Sequence, residues 1–279
     1  MNMKKWIKRN LVNIILFGIM ILGFALLGYP TFADWWNSFH QSRAIMSYAE
    51  HVARMDTEEY ERILSSAYAY NEMRAETGCD WDMDEEEDAA YNAELDFNRD
   101  GIMGYVTIDK IGVMLPIYHG TNEAVLQTSI GHLAASSLPV GGETSHSILT
   151  GHRGLPSAKL FTDLDRLVEG DTFTVNVLNE TFTYEIDQIR VVEPTDLSQL
   201  QIYKGKDYCT LVTCTPYGIN THRMLVRGYR IANAQGEAKV VADAMQIEPV
   251  YIAPLIGVPM VTVFLIITLV RTRKKKKRK

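Results

Sequence analysis

The chain has 279 residues, 47% hydrophobic and 22% charged, with three cysteines, Cys79, Cys209 and Cys214. This excludes a disordered chain, a collagen-like chain and a disulfide scaffold. The net charge of −6 hides an asymmetry: four basic residues fall in the first nine and eight in the last nine, so the stretch between carries 16 basic against 34 acidic residues, a charge of −18. Such a stretch is unsuited to nucleic acid, which needs clustered cation.

Residues 1–10 form a basic end, and residues 11–28 an apolar run broken only by Asn13. Residues 250–270 form a second apolar run without charge, followed by the basic tail 271–279. Each run approaches the ~20 residues a helix needs to cross a bilayer. The basic residues outside both spans put both termini in the cytoplasm and the middle on the extracellular side of the cell membrane. A cleaved signal peptide ending near Thr31-Phe32-Ala33 is the alternative for the first run. The outer domain would then hold an odd number of thiols on an oxidising side, where a free thiol is a hazard unless it works.

Residues 34–98 read as a helical region. Ile45, Tyr48, Val52 and Met55 recur at helical spacing, and Asp56 with Glu59 gives a capping-box-like start to a second helix burying Tyr60, Ile63, Leu64, Ala67 and Tyr68. An acidic loop at 76–90 interrupts it and leads into a short helix, with Trp81 as its one large aromatic. Asp96, Asn98, Asp100 and Gly101 match the opening half of a calcium loop, but Thr107 stands where a bidentate Glu is required, so a turn is expected and no metal.

From 99 to 231 the period switches to two. Strands are expected at 102–108, 113–118, 146–150, 172–177, 181–192, 208–213 and 224–231, with short helices at 122–131 and 157–167. At least seven strands with few helices predict a mostly β, closed or nearly closed barrel. Residues 232–249 are the linker to the second span.

Cys214 ends a strand and precedes Pro216, which holds a thiol on rigid backbone facing a loop, whereas Cys209 lies inside the same strand like a buried hydrophobe. His152 follows a strand between Gly151 and, one residue on, Gly154, in a segment where substrate can approach closely. Reference values of about 8.5 for Cys and 6.5 for His favour the neutral pair by ~2.7 kcal/mol, so a thiolate needs help from its surroundings. A permanent cation would also steady the oxyanion of an acyl intermediate. Arg223 and Arg227 are both available on the next strand and share one parity, which leaves the choice between them open.

Thr210-Leu-Val-Thr-Cys with Arg223 nine residues on, and Leu149-Thr-Gly-His-Arg-Gly-Leu-Pro-Ser upstream, resemble the sortase signature. With Leu115-Pro-Ile-Tyr-His-Gly-Thr and the terminal apolar runs, the resemblance points to the class C, pilin-polymerising branch. It implies a sortase barrel and a cysteine transpeptidase of the Gram-positive surface, without cofactor. Such an enzyme cleaves a Leu-Pro-x-Thr-Gly sorting signal through a thioacyl intermediate and passes the acyl group to a pilin lysine. Matched by motif, Cys214 is the nucleophile, His152 the acid/base and Arg223 the oxyanion cation. The resemblance also implies a lid, for which Asp80-Trp81 stand without the usual intervening proline. A cell-wall-anchoring sortase, using a peptidoglycan-precursor amine, and a non-catalytic adhesion module are the rival readings. A papain-like hydrolase is disfavoured, since the histidine precedes the cysteine in a strand-rich core.

Overall fold

The computed structural model describes residues 3–233 and Thr262. The expected second span at 250–270 and the basic tail lie outside the described residues, Thr262 excepted. The described chain divides into two units, residues 3–35 and residues 36–233.

Helix α1 (Met3–Arg54) begins in the first unit. Its apolar side chains there, Leu11, Leu16, Leu22 and Leu27 among them, are exposed. This is the one helix among the described residues long and apolar enough to cross a membrane.

In the second unit, the end of α1 buries Ile45, Tyr48 and Val52. The Tyr48 hydroxyl donates to the Met103 carbonyl at 2.9 Å and accepts from the Leu178 amide at 2.7 Å. Helix α2 (Thr57–Thr77) opens on Asp56, whose carboxylate accepts from the Glu59 amide at 2.8 Å. Its buried face runs through Ile63, Ala67, Tyr70, Asn71 and Arg74, while Tyr68, expected inside, is exposed. Helix α3 (Glu85–Ala93) starts with a full capping box between Asp84 and Glu87.

The calcium-like segment is a turn feeding the first strand. Asp96 and Asp100 accept from the amides of Gly101 and Ile102, each at 3.0 Å, so both carboxylates brace their own loop.

Eight strands follow: β1 (Ile102–Ile108), β2 (Val113–His119), β3 (Ile130–His132), β4 (Ser145–Gly151), β5 (Thr172–Val177), β6 (Glu180–Val192), β7 (Asp207–Thr215) and β8 (His222–Ile231). They close a barrel in the order β1-β2-β3-β4-β7-β8-β6-β5, parallel at β2–β3 and β4–β7 and antiparallel elsewhere. Period-two alternation sends Val106, Ile117, Leu149, Phe173, Val175, Leu211 and Val226 to one fully buried core. Gly104 permits closure at β1–β5, since a Cβ there would lie 2.2 Å from the Asn176 carbonyl oxygen.

Two further sequence expectations are corrected. The helix expected at 122–131 is a single turn, α4 (Glu123–Leu126), followed by the short strand β3. Ile130 and His132 are drawn into the gap between β2 and β4, where tertiary pairing overrides local pattern. The helix expected at 157–167 is irregular chain with one 3-10 turn at Leu164–Arg166. Leu160, Phe161, Leu164 and Leu167 are buried at the spacing that suggested a helix, but Leu160 takes a φ of 40°, outside any right-handed helix.

Candidate active site

The barrel interior is closed by side chains, so chemistry has to sit on an outer face. In β4, β7 and β8 the residues that alternate with the core do this: Ile148 and Thr150, Val212 and Cys214, Arg223 and Leu225. They line a cleft of about 300 Å3. Its floor is a second apolar cluster of Ile148, Leu200, Val212 and Leu225, with Leu133, Val192 and Leu197 packed around it. The β6–β7 loop supplies Glu193, Pro194, Asp196 and Leu197 to one wall, and Thr121 and Leu126 stand in the lining as well.

Three adjacent strands bring the candidate residues together. Cys214 and Arg223 are directly opposed across the β7–β8 ladder, a pairing with Cα atoms ~5 Å apart. On the other side of β7, Thr150 pairs with Val212. Two more residues along each chain bring His152 level with Cys214, and both line the cleft. Gly151, just before His152, lets β4 pack closely on β3, because a Cβ there would meet Ile130 at 2.8 Å and Phe161 at 2.9 Å. Cys214 on β7, Arg223 on β8 and His152 just past the end of β4 therefore line one cleft.

The choice between the arginines follows from their partners. Arg227, opposite Thr210, is held by Asp187 through two hydrogen bonds of 3.0 and 2.8 Å and lies 4.3 Å over the Tyr208 ring. Arg223 reaches the backbone carbonyls of His222 at 3.3 Å and Asn220 at 3.5 Å and faces the cleft. The cysteines separate just as clearly. Cys209 is fully buried, and burial pushes its thiol far above the usual range, whereas Cys214 is half-exposed.

Of the other histidines, His132 and His146 are structural. His146 lies 2.7 Å from both the Gln201 carbonyl and the Thr210 hydroxyl, which ties the β6–β7 loop to the barrel. Desolvation lowers His146 to about 4 and His132 to about 3, so both are neutral.

The acidic loop reaches the same region. Trp81 packs on the apolar cluster that floors the cleft, and the Cys79 thiol, which is free, donates to the Leu200 carbonyl at 3.6 Å. Burial raises the Cys79 thiol. Asp80 accepts from the Asp82 amide at 3.1 Å within its own turn. Arg74, 1% exposed, braces the loop from behind, 3.8 Å from Glu87 and bonded to the Tyr70 hydroxyl at 3.1 Å.

Sequence reasoning missed the acidic wall, Glu193 and Asp196, and the pair Arg153–Asp165. Arg153 also lies 5.9 Å over the Tyr217 ring, linking the chain after His152 to the loop after Cys214. Charged loop residues carry no periodic signal, and their positions are set by the strands they join.

A thiol, an imidazole and a guanidinium lining one cleft on a β-barrel fit the chemistry of cysteine acyl-transfer enzymes. The sortase domain model matches residues 106–231. The crystal structure of sortase C1 from Streptococcus agalactiae is 58% identical, with a TM-score of 0.68, covering 69% of this chain and all of that one. Sortase C-1 from Streptococcus pneumoniae is 41% identical, with a TM-score of 0.60 and coverage of 69% and 100%. Sortase D of Bacillus subtilis is 30% identical over 131 residues, which span 46% of this chain and 63% of that protein. The chain belongs to the sortase family of cysteine transpeptidases, and within it to class C.

Proposed function

We propose that this class C sortase polymerises pilin subunits on the outer face of the membrane, with Cys214, His152 and Arg223 as its catalytic residues. The observation that carries the reading is the register placing Cys214 opposite Arg223, with His152 at the end of the strand on its other side.

The Cys214 thiolate attacks the threonine carbonyl of a Leu-Pro-x-Thr-Gly sorting signal. A tetrahedral oxyanion forms, and Arg223 stabilises it with guanidinium donors. Collapse breaks the Thr–Gly amide; protonated His152 gives its proton to the departing glycine amine, and the acyl group remains on sulfur. A pilin lysine amine then attacks the thioester and gives a proton to His152. An isopeptide bond forms, the C–S bond breaks and the thiolate returns. The thioester conserves the energy of the cleaved amide, so no nucleotide is consumed. The apolar floor of Ile148, Leu197, Leu200 and Val212 suits the Leu-Pro half of the signal. Trp81, on that same floor, serves as a lid that competes with it. The α1 apolar stretch anchors the enzyme, and the basic clusters at both ends orient the termini to the cytoplasm.

Full-length enzyme incubated with purified pilin should build a covalent ladder, and Cys214→Ala should build none. A Cys214→Ala ladder overturns the catalytic assignment. Attachment to a peptidoglycan-precursor amine without a ladder overturns polymerisation.

A further inference from the structure

The mechanism needs the His152 ring held where it can pass a proton, and Arg223 lines the same cleft. The charged groups around His152 are few: Glu123 on α4, Cys214 on β7, Arg223 on β8, and Glu193 and Asp196 on the β6–β7 loop. Arg153, the next residue, is paired with Asp165. Glu193 is taken by a different histidine, His222, at 3.2 Å.

His152 Nε2 is itself buried and has no hydrogen-bond partner. The carboxylate in front of it belongs to Glu123, whose Oε1 is 3.7 Å away. Glu123 does not arrive there by accident of a floppy chain. It is the first residue of α4, a turn fixed by Asn122, whose side chain caps the Val125 amide at 3.1 Å. Gln127, one turn on, donates to the same Glu123 oxygen. Continuity with the site is direct, since Thr121 and Leu126, on either side of Glu123, line the cleft.

We infer that Glu123 is a positioning residue for the transpeptidation, its carboxylate orienting the His152 ring through Nε2. This inference rests on His152 acting as the acid/base. It adds a carboxylate to the Cys–His–Arg set, supplied from the β2–β3 connection and not from the strands. Because Glu123 is 71% exposed, water and salt weaken the interaction, and the effect expected is ~2- to 5-fold.

A carboxylate that orients the ring acts on the chemical step and not on binding of the signal. Full-length Glu123→Gln enzyme should therefore lose ~2- to 5-fold in kcat with KM kept, measured on a Leu-Pro-x-Thr-Gly peptide with hydroxylamine as acceptor. Glu123→Lys should deepen the loss, and Glu123→Asp should recover part of it. A purely structural role predicts that KM and the urea midpoint move with kcat. That result, or equal losses for Gln, Lys and Asp, overturns the inference while leaving the catalytic assignment intact. Wild-type turnover by His152→Ala overturns the catalytic assignment itself.

Discussion

The lid reading makes a quantitative demand on Trp81. A Trp side chain buries up to ~200 Å2, and Trp81 is half-buried on the Ile148–Leu200–Val212–Leu225 cluster. About half of that area at ~25 cal/mol per Å2 gives ~2 kcal/mol once the alanine methyl retains its share. Removing the ring should shift the closed-to-open ratio of the loop by up to ~30-fold. The residual tether, the Cys79 thiol on the Leu200 carbonyl, is weak by comparison. The assay is iodoacetamide alkylation followed by intact mass, in a Cys79→Ser background, where Cys214 is the one accessible thiol because Cys209 is buried. Trp81→Ala should alkylate several-fold to ~30-fold faster than its background. An unchanged rate would refute the lid, because it would mean that the aromatic does not stand between solvent and the sulfur.

Three further outcomes follow from the same geometry. Arg223→Lys should lower kcat on a sorting-signal peptide by ~100-fold or more, as loss of an oxyanion donor does, because an ammonium cannot reproduce the planar fork. Arg227→Lys should instead lower the urea midpoint with kcat largely kept, since its guanidinium is bidentate to Asp187; the reverse pattern would exchange their roles. Stability should fall as pH drops from about 6.5 towards about 4, because His146 and His132 resist protonation in the fold at about 4 and about 3 but not in the unfolded chain. Two such groups give a slope approaching ~3 kcal/mol per pH unit. Asp207, whose carboxyl is raised by burial, opposes it in part at the acid end. Urea midpoints at pH 7.5 and pH 5 that agree would contradict this.

The strands that carry the site were legible because period-two alternation survives in them. Cys214 at a strand end, His152 just past one and Arg223 on the next are visible as types and positions. What the pattern does not contain is adjacency. That β4 runs parallel beside β7, with β8 on the other side, brings His152, Cys214 and Arg223 to one cleft. The Arg223/Arg227 choice depended on Asp187, forty residues from Arg227 and distant in local pattern. Strand β3 was misread as helix because three residues cannot declare a period, and its pairing partners lie elsewhere in the chain. The acidic loop at 76–90 was visible as a break in pattern with an isolated Trp. Its seat on the cleft floor came from Leu197 and Leu200, whose connection between β6 and β7 has no periodic signature.

The central claim is that the Cys214 sulfur captures the carbonyl of a sorting signal. Full-length enzyme mixed with a Leu-Pro-x-Thr-Gly peptide, quenched in acid and digested for mass spectrometry, tests it most directly. The account predicts an acyl adduct on the peptide containing Cys214, equal to the signal up to its threonine, and released by hydroxylamine. Cleavage of the signal with Cys214 unmodified, or an adduct on Cys79 instead, would contradict it.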